Sequence, residues 1–218
     1  KFCKIPIITK DEIRNRIDEF RFRPHMRTDT VISTSGTTGK SLSIPISNNV
    51  EPDQWAVWWR YRSWHGINRN TWCGLFASTP IVPHNENHRF WRINYAGKEI
   101  RFSGYHISAN NTKQYVYALN KFKPQWLHGN TSAISLLASN MLCQGLKLDY
   151  DLKWLTVGSE NVQPWQSDTM KQAFGLKPVQ HYGLAEAVAN ISECPNGNLH
   201  TDEDYSYVEY VKSDTGEF

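Results

Sequence analysis

The chain has 218 residues, of which 13% are aromatic and 21% charged, enough apolar bulk for one substantial core or two small ones. A net charge of +3 with no run of Lys or Arg leaves no footprint for nucleic acid or an anionic membrane surface, and no stretch approaches the roughly 18 apolar residues of a membrane helix. Cys3, Cys73, Cys143 and Cys194 are scattered with no CxxC pair, and Lys1 to Lys10 lacks the apolar centre of a secretory signal, so reduced thiols and a cytoplasmic location are expected.

Thr9-Lys10-Asp11-Glu12 fits a capping box. Ile13, Ile17 and Phe20 follow at helical spacing, which predicts an amphipathic helix ending before Pro24. Thr30 to Thr34 reads as a strand, Ser35 to Lys40 as a loop, and Leu42 to Ile46 as the returning strand. From Asn48 a helix carries Trp55, Trp58, Trp59 and Arg62 until Gly66, and Trp72 to Ala77 is a short apolar strand. Pro80 to Lys98 reads as an irregular insertion. Beyond it, helices at Thr112 to Phe122, Thr131 to Gln144 and Pro164 to Phe174 alternate with strands near Trp126, at Leu152 to Val157 and at Val179 to Tyr182. This alternation predicts an α/β fold, a mainly parallel sheet flanked by helices, whose ligands bind at the carboxyl ends of its strands. With no initiator Met, and with Ser213 to Phe218 reading as a turn into another strand, a fragment of a longer protein is expected.

Thr34-Ser35-Gly36-Thr37-Thr38-Gly39-Lys40 is the most informative stretch. Two glycines let the backbone approach an anion closely, while hydroxyls and one ammonium offer donors to phosphate oxygens. A Walker loop needs a glycine where Thr34 stands and a helix directly afterwards, whereas Leu42 to Ile46 reads as strand. A plain polar hairpin turn remains the other reading of this stretch alone.

The loop resembles the phosphate-binding signature of the acyl-adenylate-forming superfamily. Val157-Gly158-Ser159-Glu160 resembles that family's adenine-contacting segment, and His181-Tyr182-Gly183-Leu184-Ala185-Glu186 its aromatic-Gly-x-Thr-Glu motif, in the family's order. Within the superfamily the closest likeness is to phenylacetate-CoA ligases and CapK-type proteins of capsular polysaccharide biosynthesis. It is carried by Ile5 to Lys10, by Lys123-Pro124 with Leu127-His128-Gly129-Asn130, and by Ser192-Glu193-Cys194 through Leu199-His200 to Glu203-Asp204.

The resemblance implies a partial nucleotide-binding core over residues 1–218, with part of the N-terminal region and the small C-terminal domain outside it. Ser35, Gly36, Thr37, Thr38, Gly39 and Lys40 would hold the ATP phosphates. Tyr182 would stack on adenine, with Gly158, Ser159, Glu160, His181 and Gly183 around its edge. Glu186 would ligate Mg2+ and, with Thr38, serve catalysis. The substrates implied are a small carboxylic acid and an acyl acceptor, CoA or an amine. One departure is Ala185, where the family has Thr. That lost hydroxyl keeps open a rival reading, a non-catalytic component of surface polysaccharide biosynthesis that retains the fold.

Four further signals have plainer readings beside them. Trp55, Trp58, Trp59 and Trp64 suit an acyl pocket but equally a core. His84, Glu86 and His88 suit a metal or a solvated loop. Cys194 and His200 are two candidate zinc ligands where a closed site needs four. His181 is better suited to positioning than to base catalysis, because carboxylates are already ionised at neutral pH.

Overall fold

The Thr9 side chain accepts from the Glu12 backbone N–H, and the Glu12 carboxylate accepts from the Thr9 N–H at 2.7 Å, closing the capping box of α1 (Lys10–Asn15). The helix stops well short of Pro24, giving way to a 3-10 turn at Ile17–Phe20. Neither piece buries a residue, and a short helix without a packed face has little to extend it. In this computed structural model the described residues are 6, 8–20, 29–33, 42–77 and 79–212.

β1 (Thr30–Ser33) and β2 (Ser43–Ile46) pair antiparallel, from Thr30↔Ile46 to Ser33↔Ser43. α2 (Val50–Trp64) follows, and then β3 (Cys73–Ala77). The stretch expected to be an irregular insertion instead contains β4 (Trp91–Asn94), which pairs antiparallel with β5 (Glu99–Ser103). Burial of Trp91, Ile100 and Phe102, with polar residues between them, explains the pairing. Three helix-strand units complete the series: α3 (Thr112–Phe122) and β6 (Trp126–Asn130), α4 (Thr131–Cys143) and β7 (Trp154–Gly158), α5 (Pro164–Phe174) and β8 (Val179–Gly183). Gly175, at φ 78°, caps α5 in the left-handed conformation that favours glycine. Two short strands, β9 (Asn190–Glu193) and β10 (Leu199–Thr201), end the described order.

Apart from the β1–β2 pair, the described strands form one sheet in the order β10-β9-β8-β7-β6-β3-β5-β4. Its five central strands are parallel and both edges antiparallel. On one face Phe76, Phe102, Leu127, Leu155 and Val157 pack with Tyr115, Leu119, Ile134, Leu137 and Met170 of α3, α4 and α5. Of the largest fully buried side chains, all but Tyr61 and Ile67 belong to this cluster. At about 1.5–3 kcal/mol per large apolar side chain, most hydrophobic stabilisation therefore lies on this face. Strand alternation turns Trp126, His128, Trp154 and Thr156 to the opposite face, where α2 lies with Trp59 against Trp126.

Candidate functional site

β7 ends in Gly158, and the chain turns at once through Ser159, whose φ is 69°. Glu160 anchors the turn to the start of α4: its carboxylate accepts from the Ser132 N–H and from the Ser132 hydroxyl, both at 2.9 Å. The Thr131 hydroxyl donates to the Glu160 carbonyl at 3.2 Å. These bonds occupy donors that a helix N-terminus otherwise leaves free. The Glu160 side chain is thus committed to α4, and Gly158 and Ser159 present the backbone edge.

β8 runs beside β7, pairing Val179 with Thr156 and Gln180 with Val157. Successive residues point to opposite faces. His181 faces α2, its ring stacked on Tyr61 with centroids 5.2 Å apart and on His128 at 6.0 Å. Tyr182 points the other way and is half exposed, at 48%. Gly183 pairs with Asn190 of β9. The chain then bends through a turn in which the Ala187 N–H donates to the Leu184 carbonyl, with Ala187 at φ 55° and its own carbonyl accepting from the Tyr205 hydroxyl. This turn carries exposed Ala185 and half-buried Glu186, whose carboxylate has no hydrogen-bond or ion-pair partner among the described residues.

Beneath the site lies a polar cluster that sequence reasoning missed. The His128 ring nitrogen Nδ1 and the Trp126 indole N–H both meet the Thr156 hydroxyl, at 2.8 Å each. Arg62 of α2 is buried, 4% exposed, with its guanidinium carbon 4.9 Å from the Trp126 ring centroid and 5.1–5.9 Å from those of Trp55, Trp58, Trp59 and Tyr61. Burial, then the Arg62 charge, push His181 down to about 4. The same two causes and His181 itself hold His128 well below its ordinary value, so both rings are neutral at physiological pH. Helical spacing was the available signal, since residues 55, 58, 59 and 62 share one face.

The loop Thr34 to Lys40, with Ser35, Gly36, Thr37, Thr38 and Gly39, lies outside the described residues. The paired strands leading to and from it are described, and the Ser33 and Ser43 hydroxyls stand 3.2 Å apart across the ladder. A cavity of about 240 Å3 opens between this hairpin, α2 and Ala187, lined by Ile32, Ile46, Val50, Trp55 and Trp58. Trp55 and Trp58 therefore line a cavity, whereas Trp59 packs into the core and Trp64 against His200. The Glu86 carboxylate accepts backbone N–H bonds from Asn87, His88 and Arg89. No group of three or more His, Cys, Asp or Glu suited to a metal occurs among the described residues, Cys194 and His200 included. Cys73, Cys143 and Cys194 are free thiols, and no described helix is long and apolar enough to cross a membrane.

No protein-family model matches the chain. Its sequence is 27% identical over 198 residues to protein CapK of Staphylococcus aureus, a match spanning 90% of this chain and 44% of that protein. A 2-hydroxyisobutyryl-CoA ligase, solved in an open conformation with 2-HIB-AMP and CoA, superposes with a TM-score of 0.63 over 96% of this chain and 53% of its own, at 16% identity. A long-chain-fatty-acid-CoA ligase from Archaeoglobus fulgidus gives 0.54 over 86% of this chain and 38% of its own, at 13% identity. An anthranilate CoA ligase in complex with anthranoyl-AMP gives 0.52 over 84% and 37%, at 14% identity. The chain thus spans about half the length, or less, of the proteins it matches. The likeness read from its motifs is met by its architecture: the chain has the fold of the acyl-adenylate-forming superfamily and is similar in sequence to CapK.

Proposed function

We propose that this chain is the nucleotide-binding core of an enzyme that activates a carboxylic acid as an acyl-AMP with ATP and magnesium, then passes the acyl group to a thiol such as CoA or to an amine. One observation carries the reading. The Gly158–Ser159 turn follows the end of β7, the exposed Tyr182 ring lies near the end of the neighbouring β8, and the Glu186 carboxylate, with no partner among the described residues, sits in the turn directly after β8. The fold that carries them is shared with ligases solved with acyl-AMP bound, and ligands of parallel sheets bind at this end.

Each group has a physical task. Tyr182 offers adenine a flat apolar face at little entropic cost. Gly158, Ser159 and the His181 backbone offer its edge hydrogen-bonding groups. Glu186 is a hard oxygen donor with no partner among the described residues, a good match for magnesium, which prefers carboxylate and phosphate oxygens. When bound, that ion supplies charge neutralisation at the α-phosphate. Ser35, Thr37, Thr38 and Lys40 hold the outer phosphates by charge-assisted hydrogen bonds. The substrate acid is already ionised at neutral pH, so the protein's contribution is orientation and charge rather than proton transfer. The cavity beside Ala187 exceeds the roughly 150 Å3 that holds a benzene ring, and gives the acid's apolar part a place next to the Glu186 turn.

The test is calorimetric titration of the chain with magnesium-ATP and with AMP. Both should bind. Glu186→Gln should weaken magnesium-ATP about ten- to a hundredfold, the range for one charge-assisted interaction, and leave AMP nearly unchanged. A folded sample that binds neither nucleotide overturns the reading. A second reading, a component that keeps the fold without the chemistry, rests on Ala185, which puts a methyl where the family has a hydroxyl. Exchange of labelled pyrophosphate into ATP by the full-length protein, across a panel of acids, separates the two: exchange with any acid excludes the second.

A further inference from the structure

Arg62 is a costly residue for its position. A guanidinium moved out of water without a carboxylate costs several kcal/mol, and an apolar side chain of similar volume often fills such a site with no loss of stability. Arg62 has no ion pair among the described residues, and its Nε atom is buried without a hydrogen-bond partner. Aromatic faces offset part of this, because a desolvated cation is attracted to the negative face of each ring. Packing alone does not account for an arginine here.

Its surroundings lead to the candidate site in three contacts. Arg62 packs on Tyr61 and Trp126. Tyr61 stacks on His181, its hydroxyl 3.4 Å from the His181 ring nitrogen Nδ1, and the His181 ring stacks in turn on His128. The His181 ring lies flush against Gly158, where a Cβ would stand 2.6 Å from its Cε1 atom. We infer that Arg62, enclosed by five aromatic rings, is a positioning residue: it anchors the Tyr61, His181 and His128 stack on which the Gly158–Ser159 edge of the site rests. The inference takes that edge to be the nucleotide edge proposed above.

A protonated His181 would draw water or an anion between the rings and lift the edge, so a fixed cation nearby keeps the stack dry and neutral. The other titratable groups around the two rings are Tyr61 on α2, whose hydroxyl burial holds protonated, and Cys73 on β3, which burial also keeps protonated. On the far side Ser192 of β9 faces His181, with Asp202 hydrogen-bonded behind it, and Glu193 is bonded to the Gln180 N–H. Asp202 is in turn paired with Arg60. Arg62 is thus the cation set against the rings on the α2 side.

The experiment follows the histidine ring signals by NMR against pH in the whole chain, for the wild type, Arg62→Met, Arg62→Gln and Arg62→Lys, with AMP affinity at pH 5.5 and pH 8. His181→Asn and His128→Asn assign the signals. In the wild type His181 should titrate at about 4 and His128 well below its ordinary value, and AMP affinity should be level between the two pH values. In Arg62→Met the His181 midpoint should rise by at least about one pH unit, with AMP affinity lower at pH 5.5 than at pH 8, by about a quarter for a one-unit rise and by more for a larger one. Arg62→Lys, which keeps the charge, should restore the wild-type titration. Arg62→Gln is read in the same way should Arg62→Met not fold. A folded neutral variant with His181 titrating as in the wild type overturns the inference. A wild type that binds no AMP overturns the nucleotide reading instead, while the ring titration still decides the role of Arg62.

Discussion

Gly158 carries no side chain because His181 leaves no room for one. The 2.6 Å approach of a Cβ to the imidazole is well inside van der Waals contact, and the ring is held by stacking on Tyr61 and His128. Gly158→Ala should therefore destabilise the chain by about 1–3 kcal/mol, the usual cost of overpacking. In urea unfolding most of that loss should vanish in a His181→Ala background, because the two side chains compete for one space. Equal losses in both backgrounds would place the strain elsewhere. The glycine itself was legible in the sequence as part of a recognisable motif, but its steric reason was not. Nor was the burial of Arg62 and His128 legible, since a polar residue in a strand or helix gives no sign of which face it turns inward.

Among the elements, α4 and the turn after β7 depend on each other through Glu160. The carboxylate caps the second residue of the helix and fixes the turn that presents Gly158 and Ser159. Glu160→Ala should cost about 0.5–2 kcal/mol, as loss of a helix cap does, and should weaken AMP binding. Glu160→Gln keeps an acceptor for the Ser132 N–H and should lie between the two. The check is thermal unfolding with and without AMP; a cap loss that leaves nucleotide binding untouched would separate the turn from the site. The helices that frame the site were readable because each carries its own start or stop signal, such as Pro164 at the head of α5 and Gly175 behind it. β4 and β5 escaped because their buried residues are interleaved with Arg92, Asn94, Glu99 and Arg101; the alternation Trp91, Ile93 and Ile100, Phe102 was the signal to read. β9 and β10, at four and three residues, are too short for any period to stand out.

The molecule as a whole divides its two faces by chemistry, apolar under α3, α4 and α5 and partly polar under α2. This asymmetry gives its stability a pH dependence of known sign. His181 in the fold titrates at about 4 and His128 well below its ordinary value, while both take a proton near 6.5 once unfolded. As pH falls from about 6.5 towards 4 the unfolded chain therefore binds protons that the fold refuses. The stability these neutral rings contribute is complete above 6.5 and lost across that window, by up to about 1.4 kcal/mol per pH unit for each ring. Urea midpoints should be level between pH 8 and pH 7 and drop steadily from pH 6.5 to pH 4.5, less steeply in His181→Asn. A level profile down to pH 4.5 would mean that the rings are solvated.

The position of β3 has a consequence for how the chain comes to be folded. It is a central strand, yet both of its neighbours, β5 and β6, are later in the chain. During synthesis β3 emerges with both hydrogen-bonding edges bare. β5 covers one of them; the other waits until α3 has been made and has carried the chain back across the sheet to β6. This seam in the middle of the sheet closes only once β6 has been made, and until it does the growing polypeptide offers a naked apolar strand to any neighbour on the same message.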